Sequence, residues 1–215
     1  VETFETEEQQ VEAIKKFWHE YGNYLIGGLV VGLSGFVGFN FYKDSKLEGE
    51  MAVASEYQAV IDSQTADHEA FKANAEQFIQ NNAESSYASL TALSLAKDAA
   101  EHQDWEKAAT HLQQAIDKAS NAGIKSIATV RLARVQIQLE QFDKALATVG
   151  GEQSEAFKAA IEEIKGDAYL KQGKVELARN AYQAAIDADG LATNPSLQLK
   201  IDDLAQATNL TQLPN

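Results

Sequence analysis

The sequence predicts an all-α protein: a single N-terminal transmembrane helix followed by a tetratricopeptide-like α-solenoid. Three observations lead there. Residues 21–42 carry no charge. The 215-residue chain has only two prolines, Pro195 and Pro214, so long helices can run unbroken. A helix–turn–helix pattern also recurs three times at spacings of 37 and 33 residues, close to the tetratricopeptide period of about 34.

Residues 1–22 form the first element, an acidic tail with an amphipathic helix. Thr6 and Gln9 have capping-box spacing. Val11, Ile14, Phe17, Trp18 and Tyr21 share one helical face, while Glu8, Glu12, Lys15, Lys16, His19 and Glu20 share the other. Such a helix beside a span lies on the bilayer surface or packs on a protein partner. The sequence leaves both open.

Residues 23–42 are the expected span. A helix through the uncharged run is about 33 Å long, enough for a hydrocarbon layer of about 30 Å. Tyr21, Tyr24, Phe41 and Tyr42 stand where an interfacial aromatic belt would be. A cleavable signal is disfavoured. The residues before the run are acidic, with six carboxylates against two lysines in the first twenty positions, and the nearest small-x-small site, Ala52-Val53-Ala54, lies well past it. The expectation is a retained anchor contacting the lipid bilayer. Gly28 and Gly32 form a GxxxG pair, Gly35 extends the same face, and Ser34 and Gly38 repeat the small-xxx-small spacing. A face of this kind lets a second helix approach closely, although glycine is also simply common in spans. Lys15 and Lys16 before the run balance Lys43 and Lys46 after it, so charge does not orient the anchor.

Residues 43–85 read as a linker and a degenerate first helix pair. Leu47, Met51, Ala54, Tyr57 and Ile61 keep helical spacing, and Phe71, Ala75, Phe78 and Ile79 line one side of a second helix. Residues 86–215 hold the repeats and a C-terminal capping helix. The second helix of each pair opens with Trp105, Phe142 or Val175, followed by Ala108, Ala145 or Ala178 and then by Leu112, Val149 or Tyr182. The first helices supply Leu95-Ala96, Leu132-Ala133 and Lys165-Gly166. Small residues let paired helices touch and large ones fill the space between them, so stacking builds the core.

The chemistry expected of this chain is recognition. Its formal net charge is −14, which disfavours nucleic acid, and it has no cysteine for thiolate or disulfide chemistry. His19, His68, His102 and His111 are scattered, and no metalloprotease, nucleophile-elbow or phosphate-loop motif occurs. The acid pairs Glu162-Glu163 and Asp202-Asp203 read as solvated helix faces. No catalytic, cofactor or metal residue is therefore expected. The repeat register points Leu93, Lys97, Val130, Arg134, Ile137 and Asp167, with Glu163 and Leu170, toward a groove suited to an extended polypeptide.

The order of an acidic N-terminus, "QVEAIKKFW", a glycine-rich span, "RLARVQ" and "GDAYLKQGKVELARNAYQAAI" resembles the YfgM family across essentially the whole chain. Members are ancillary subunits of the bacterial Sec translocon. The resemblance implies a non-enzymatic single-pass inner-membrane protein, with its N-terminus cytoplasmic and its repeats periplasmic. It also implies association with SecYEG and the membrane-anchored periplasmic chaperone PpiD, and a role in passing exported polypeptides to periplasmic chaperones. A different class of function, a homo-oligomerising envelope scaffold paired through the glycine face, fits the same residues.

Overall fold

A computed structural model describes residues 7–151 and 154–211 of the chain. Thr6, half of the expected capping box, and residues 212–215 of the repeat segment lie outside the described residues. Two compact units are present, Val1–Ala52 and Val53–Asn215. Among the described residues all regular structure is helical.

The first unit consists of helix α1 (Glu7–Ala66) up to Ala52. Every residue from Asn23 to Phe39 is exposed. Leu29, Val31, Phe36 and Phe39 are 63–74% exposed. In water this surface would oppose folding, because nothing in the unit removes it from solvent. It is one helix long and apolar enough to cross a membrane. Earlier in α1, Val11, Ile14, Phe17, Trp18 and Tyr21 are also exposed, and the Trp18 indole lies over Gly22 one turn on.

The second unit begins with the last part of α1, from Val53. It continues through α2 (His68–Asn81), α3 (Ser86–Glu101), α4 (Trp105–Lys118), α5 (Ala122–Gln138), α6 (Phe142–Val149), a 3₁₀ turn (Glu155–Phe157), α7 (Lys158–Lys171), α8 (Val175–Asp187), α9 (Gly190–Thr193) and α10 (Leu197–Thr211). From α2 onward each helix packs on its sequence neighbour, and α5 also touches α3 and α7. This is the nearest-neighbour order of a solenoid. Side-chain caps start several helices. Asp67 accepts from the Glu69 and Ala70 amides, Ser85 from Tyr87, Asp104 from Lys107 and Asn121 from Ile124.

Among the described residues, three apolar cores run along the stack. Val60, Phe71, Phe78 and Ile79 join Leu95, Leu112 and Leu132 in the first. Val130, Ala133, Ala145, Val149, Ile161 and Ile164 form the second. Tyr182, Ala178 and Ala185 meet Leu197 and Leu204 of α10 in the third, so α10 covers the open end of the last pair. α5 serves two cores, with Leu132 in one and Val130 and Ala133 in the next. Loss of one layer therefore strips its neighbour.

One device repeats that the residue spacing did not display. α3, α5 and α7 each end in the same turn, with a residue in the left-handed region: Gln103 (φ 60°), Glu140 (φ 57°) and Gly173 (φ 72°). In each, the next amide reaches back to the final turn: Asp104 N to Ala99 O, Gln141 N to Gln136 O and Lys174 N to Tyr169 O, at 2.8–2.9 Å. This Schellman-type closure satisfies carbonyls that would otherwise be orphaned and turns the chain directly into the second helix. Only the third turn uses glycine.

Candidate functional site

Two surfaces carry the residues singled out by the sequence. On α1, Gly28, Gly32 and Gly35 fall on one face at intervals of four and three residues, and space for 4 Å around each Cβ position is open. The backbone is bare there, which is what close helix approach inside a bilayer requires.

The second surface lies between α3 and α5. Leu93, Ala96, Leu112 and Val135 form an apolar floor beneath Lys97, Arg131 and Arg134, in a hollow of about 410 Å³. Glu101 also lines it and pairs with Lys97 at 3.6 Å. Both of those groups are exposed, so the pair holds the groove loosely. Arg134 also lines an adjoining hollow of about 570 Å³ beside Ala156, Ala160, Glu163 and Asn194. The groove is thus an oily trough with a cationic rim on a chain whose net charge is −14.

Of the six groove residues expected from the repeat register, Leu93, Lys97 and Arg134 come together in the first hollow. Val130 is buried in the second core, and Ile137 packs against it. Asp167 sits in a polar cluster at the C-terminal end. The buried Tyr182 donates its hydroxyl to Asp167 at 2.7 Å, and Lys200 donates to Asp167 at 2.6 Å and to Glu163 at 2.8 Å. Asn194 donates to Glu163 at 2.7 Å, and Arg134 stands 4.0 Å from the same carboxylate. Burial, then the Asp167 hydrogen bond and the nearby carboxylates, push the Tyr182 phenol well above its usual value. Burial works against the Lys200 ammonium, but its bonds to Asp167 and Glu163 outweigh that and hold its pKa above the ordinary lysine value. The cluster ties α10 to α7 and α8.

Two features were not visible as sites in the sequence. Arg131 and Leu112 line the groove although the register did not select them. Arg131, three residues before Arg134, could have been found as a second cation on one helical face. His68 and His102, read as scattered, meet around the buried Asp98. Asp98 and His102 are one helical turn apart, but His68 comes from a separate helix, so no local spacing signals the trio.

A tetratricopeptide repeat-like domain family matches residues 15–206. An "Ancillary SecYEG translocon subunit" of Haemophilus influenzae (strain ATCC 51907 / DSM 11121 / KW20 / Rd) is 31% identical, covering 92% of this chain and 97% of that protein. The Escherichia coli (strain K12) protein of the same name is 31% identical over 95% and 100% of the two chains. That of Neisseria gonorrhoeae (strain ATCC 700825 / FA 1090) is 25% identical over 92% and 97%. These relatives are named as subunits of a channel, a non-catalytic role. With such identity across nearly its full length, an apolar N-terminal helix and a stacked repeat domain, the chain belongs to the ancillary SecYEG translocon subunit family, also called the YfgM family.

Proposed function

We propose that this chain is a non-enzymatic accessory subunit of SecYEG in the inner membrane. α1 serves as the single-pass anchor, and the repeat domain, on the periplasmic side, receives exported polypeptides and passes them to chaperones such as PpiD. The observation that carries the reading is the coincidence of nearly full-length kinship with named SecYEG subunits and a helix whose apolar stretch, residues 23–39, is left uncovered. Gly28, Gly32 and Gly35 offer a partner helix the closest approach. The groove of Leu93, Lys97, Arg131 and Arg134 suits an extended segment with apolar and acidic side chains.

Purification of the full chain in mild detergent tests this. The expected result is SecY and PpiD in the eluate, together with an active alkaline phosphatase fused after Asn215. An inactive fusion overturns the orientation. Recovery of the chain with itself alone favours the homo-oligomeric scaffold instead. Arg134→Glu is expected to lower crosslinking of an arriving polypeptide to the groove while leaving helicity unchanged. Unaltered crosslinking removes the groove from the mechanism.

A further inference from the structure

We propose that His68, Asp98 and His102 form a binding site for a divalent transition-metal ion of the imidazole-preferring kind, such as zinc, clamping the start of α2 to the end of α3. One donor atom from each of the three residues lies within 4.8 Å of the others. His68 Nδ1 is 2.9 Å from Asp98 Oδ1. His102 Nδ1 is 2.8 Å from the Asp98 carbonyl oxygen. The two imidazole rings stand 4.4 Å apart, centroid to centroid.

The Asp98 carbonyl fixes the His102 tautomer. A carbonyl oxygen only accepts, so the neutral His102 ring carries its proton on Nδ1 and keeps a lone pair on Nε2. Metal-binding histidines are characteristically held this way, with one ring nitrogen anchored to a carboxylate or backbone carbonyl and the other free for the metal. Asp98 anchors the His102 ring through its backbone carbonyl. The other two donors are His68 Nδ1 and the Asp98 carboxylate, close enough to grip one ion together in place of the proton between them. Asp98 is only 3% exposed, whereas His68 is partly exposed and His102 exposed. Access from one side leaves the remaining ligand positions to water.

The surroundings favour a cation. His102 caps the C-terminus of α3, where helix carbonyls concentrate negative charge. Asp98 and His102 line a hollow of about 370 Å³ together with Glu69, Glu76 and Asp104. Two lysines share the hollow, but Lys72 is bound to Glu69 at 3.1 Å and Lys107 to Asp104 at 2.8 Å. The buried Nδ1 of His111, which also lines the hollow, has no hydrogen-bond partner. Nitrogen and carboxylate donors without thiolate select zinc, nickel or copper over calcium or magnesium. The consequence for the fold is a cross-link between the degenerate first pair and the first full repeat.

Isothermal titration of zinc chloride into the untagged full chain in detergent tests the site. The expected result is one saturable equivalent and a raised Tm. His102→Gln and His68→Gln should each weaken binding at least tenfold while retaining wild-type helicity by circular dichroism. His19→Ala should bind as the wild type does, and calcium chloride should not compete. Absence of saturable binding, full retention of binding in His102→Gln and His68→Gln, or equal binding of calcium each overturns the proposal.

Discussion

The small residues of α1 and those of the repeats have opposite surroundings. Around Gly28, Gly32 and Gly35 a methyl group would meet nothing within 4 Å. At Gly166 the same methyl would run into the Tyr182 ring, and Ala108, Ala145 and Ala178 are fully buried. In the repeats smallness is complementary to a neighbour already present in the chain. On α1 it has no such neighbour, so its use depends on what the helix meets in the membrane. Residue type alone does not distinguish a packed contact from an unoccupied one.

The largest effect should follow from filling the packed positions. Gly166→Ala and Ala108→Leu are each expected to destabilise the repeat domain by about 1–3 kcal/mol through overpacking, with a fall in Tm of several degrees by calorimetry. An unchanged Tm would mean the packed positions are as tolerant as the bare ones.

Alkaline titration probes the same layer through its polar side. The Tyr182 pKa is raised above the ordinary 10.0 in the folded chain, and Lys200 is raised as well. The folded state therefore holds these protons after the unfolded chain has released them. Their contribution to stability is complete below about pH 10 and is lost as pH rises beyond it. For Tyr182 the slope approaches about 1.4 kcal/mol per pH unit. Urea denaturation at successive pH values should show this decline, and Tyr182→Phe should make it shallower.

A smaller effect is expected at the repeated turns. Gly173→Ala places a side chain at φ 72° with nothing to collide with, so its cost of about 1 kcal/mol is purely conformational. Gln103→Gly and Glu140→Gly relieve similar strain but loosen the unfolded chain, so each should lie between neutral and a gain of about 0.5 kcal/mol. Denaturation midpoints of the three variants check this. A larger loss in Gln103→Gly would show that its side chain holds the turn.

The smallest effect on stability should come from the bare face. Gly28→Leu with Gly32→Leu is expected to leave the repeat-domain stability within about 0.5 kcal/mol of wild type, while SecY recovery in mild detergent falls. Undiminished recovery would make these glycines permissive and leave the contrast one of packing alone.

Much of the architecture was legible because the residues that build it act locally. The uncharged run announced α1's apolar stretch. Ala108, Ala145 and Ala178, each three residues after an apolar opener, announced helix pairs. The degenerate first pair showed in Phe71, Ala75, Phe78 and Ile79, and these residues are buried in the first core. Candidate-site residues were less legible. Leu93, Lys97 and Arg134 share a groove, yet Val130 and Ile137 from the same register pack in a core and Asp167 pairs with Lys200. A period specifies which residues share a helix face, but a first helix in a stack has neighbours on more than one side.

By itself the sequence determined what depends on short-range order: an all-α chain, an apolar helix without charge, repeats near the tetratricopeptide period, and kinship to an accessory Sec subunit. Tertiary structure decided what depends on residues far apart in the chain. It joined His68 to Asp98 and Tyr182 and Lys200 to Asp167, and it set Arg131 and Lys97 on one groove. It also placed Gln103 and Glu140 in the left-handed turns where the third repeat has glycine. The physical reason is that helix periodicity follows from backbone geometry within a few residues. Contacts between helices follow from how whole side-chain surfaces interlock, and no window of neighbouring residues contains that information.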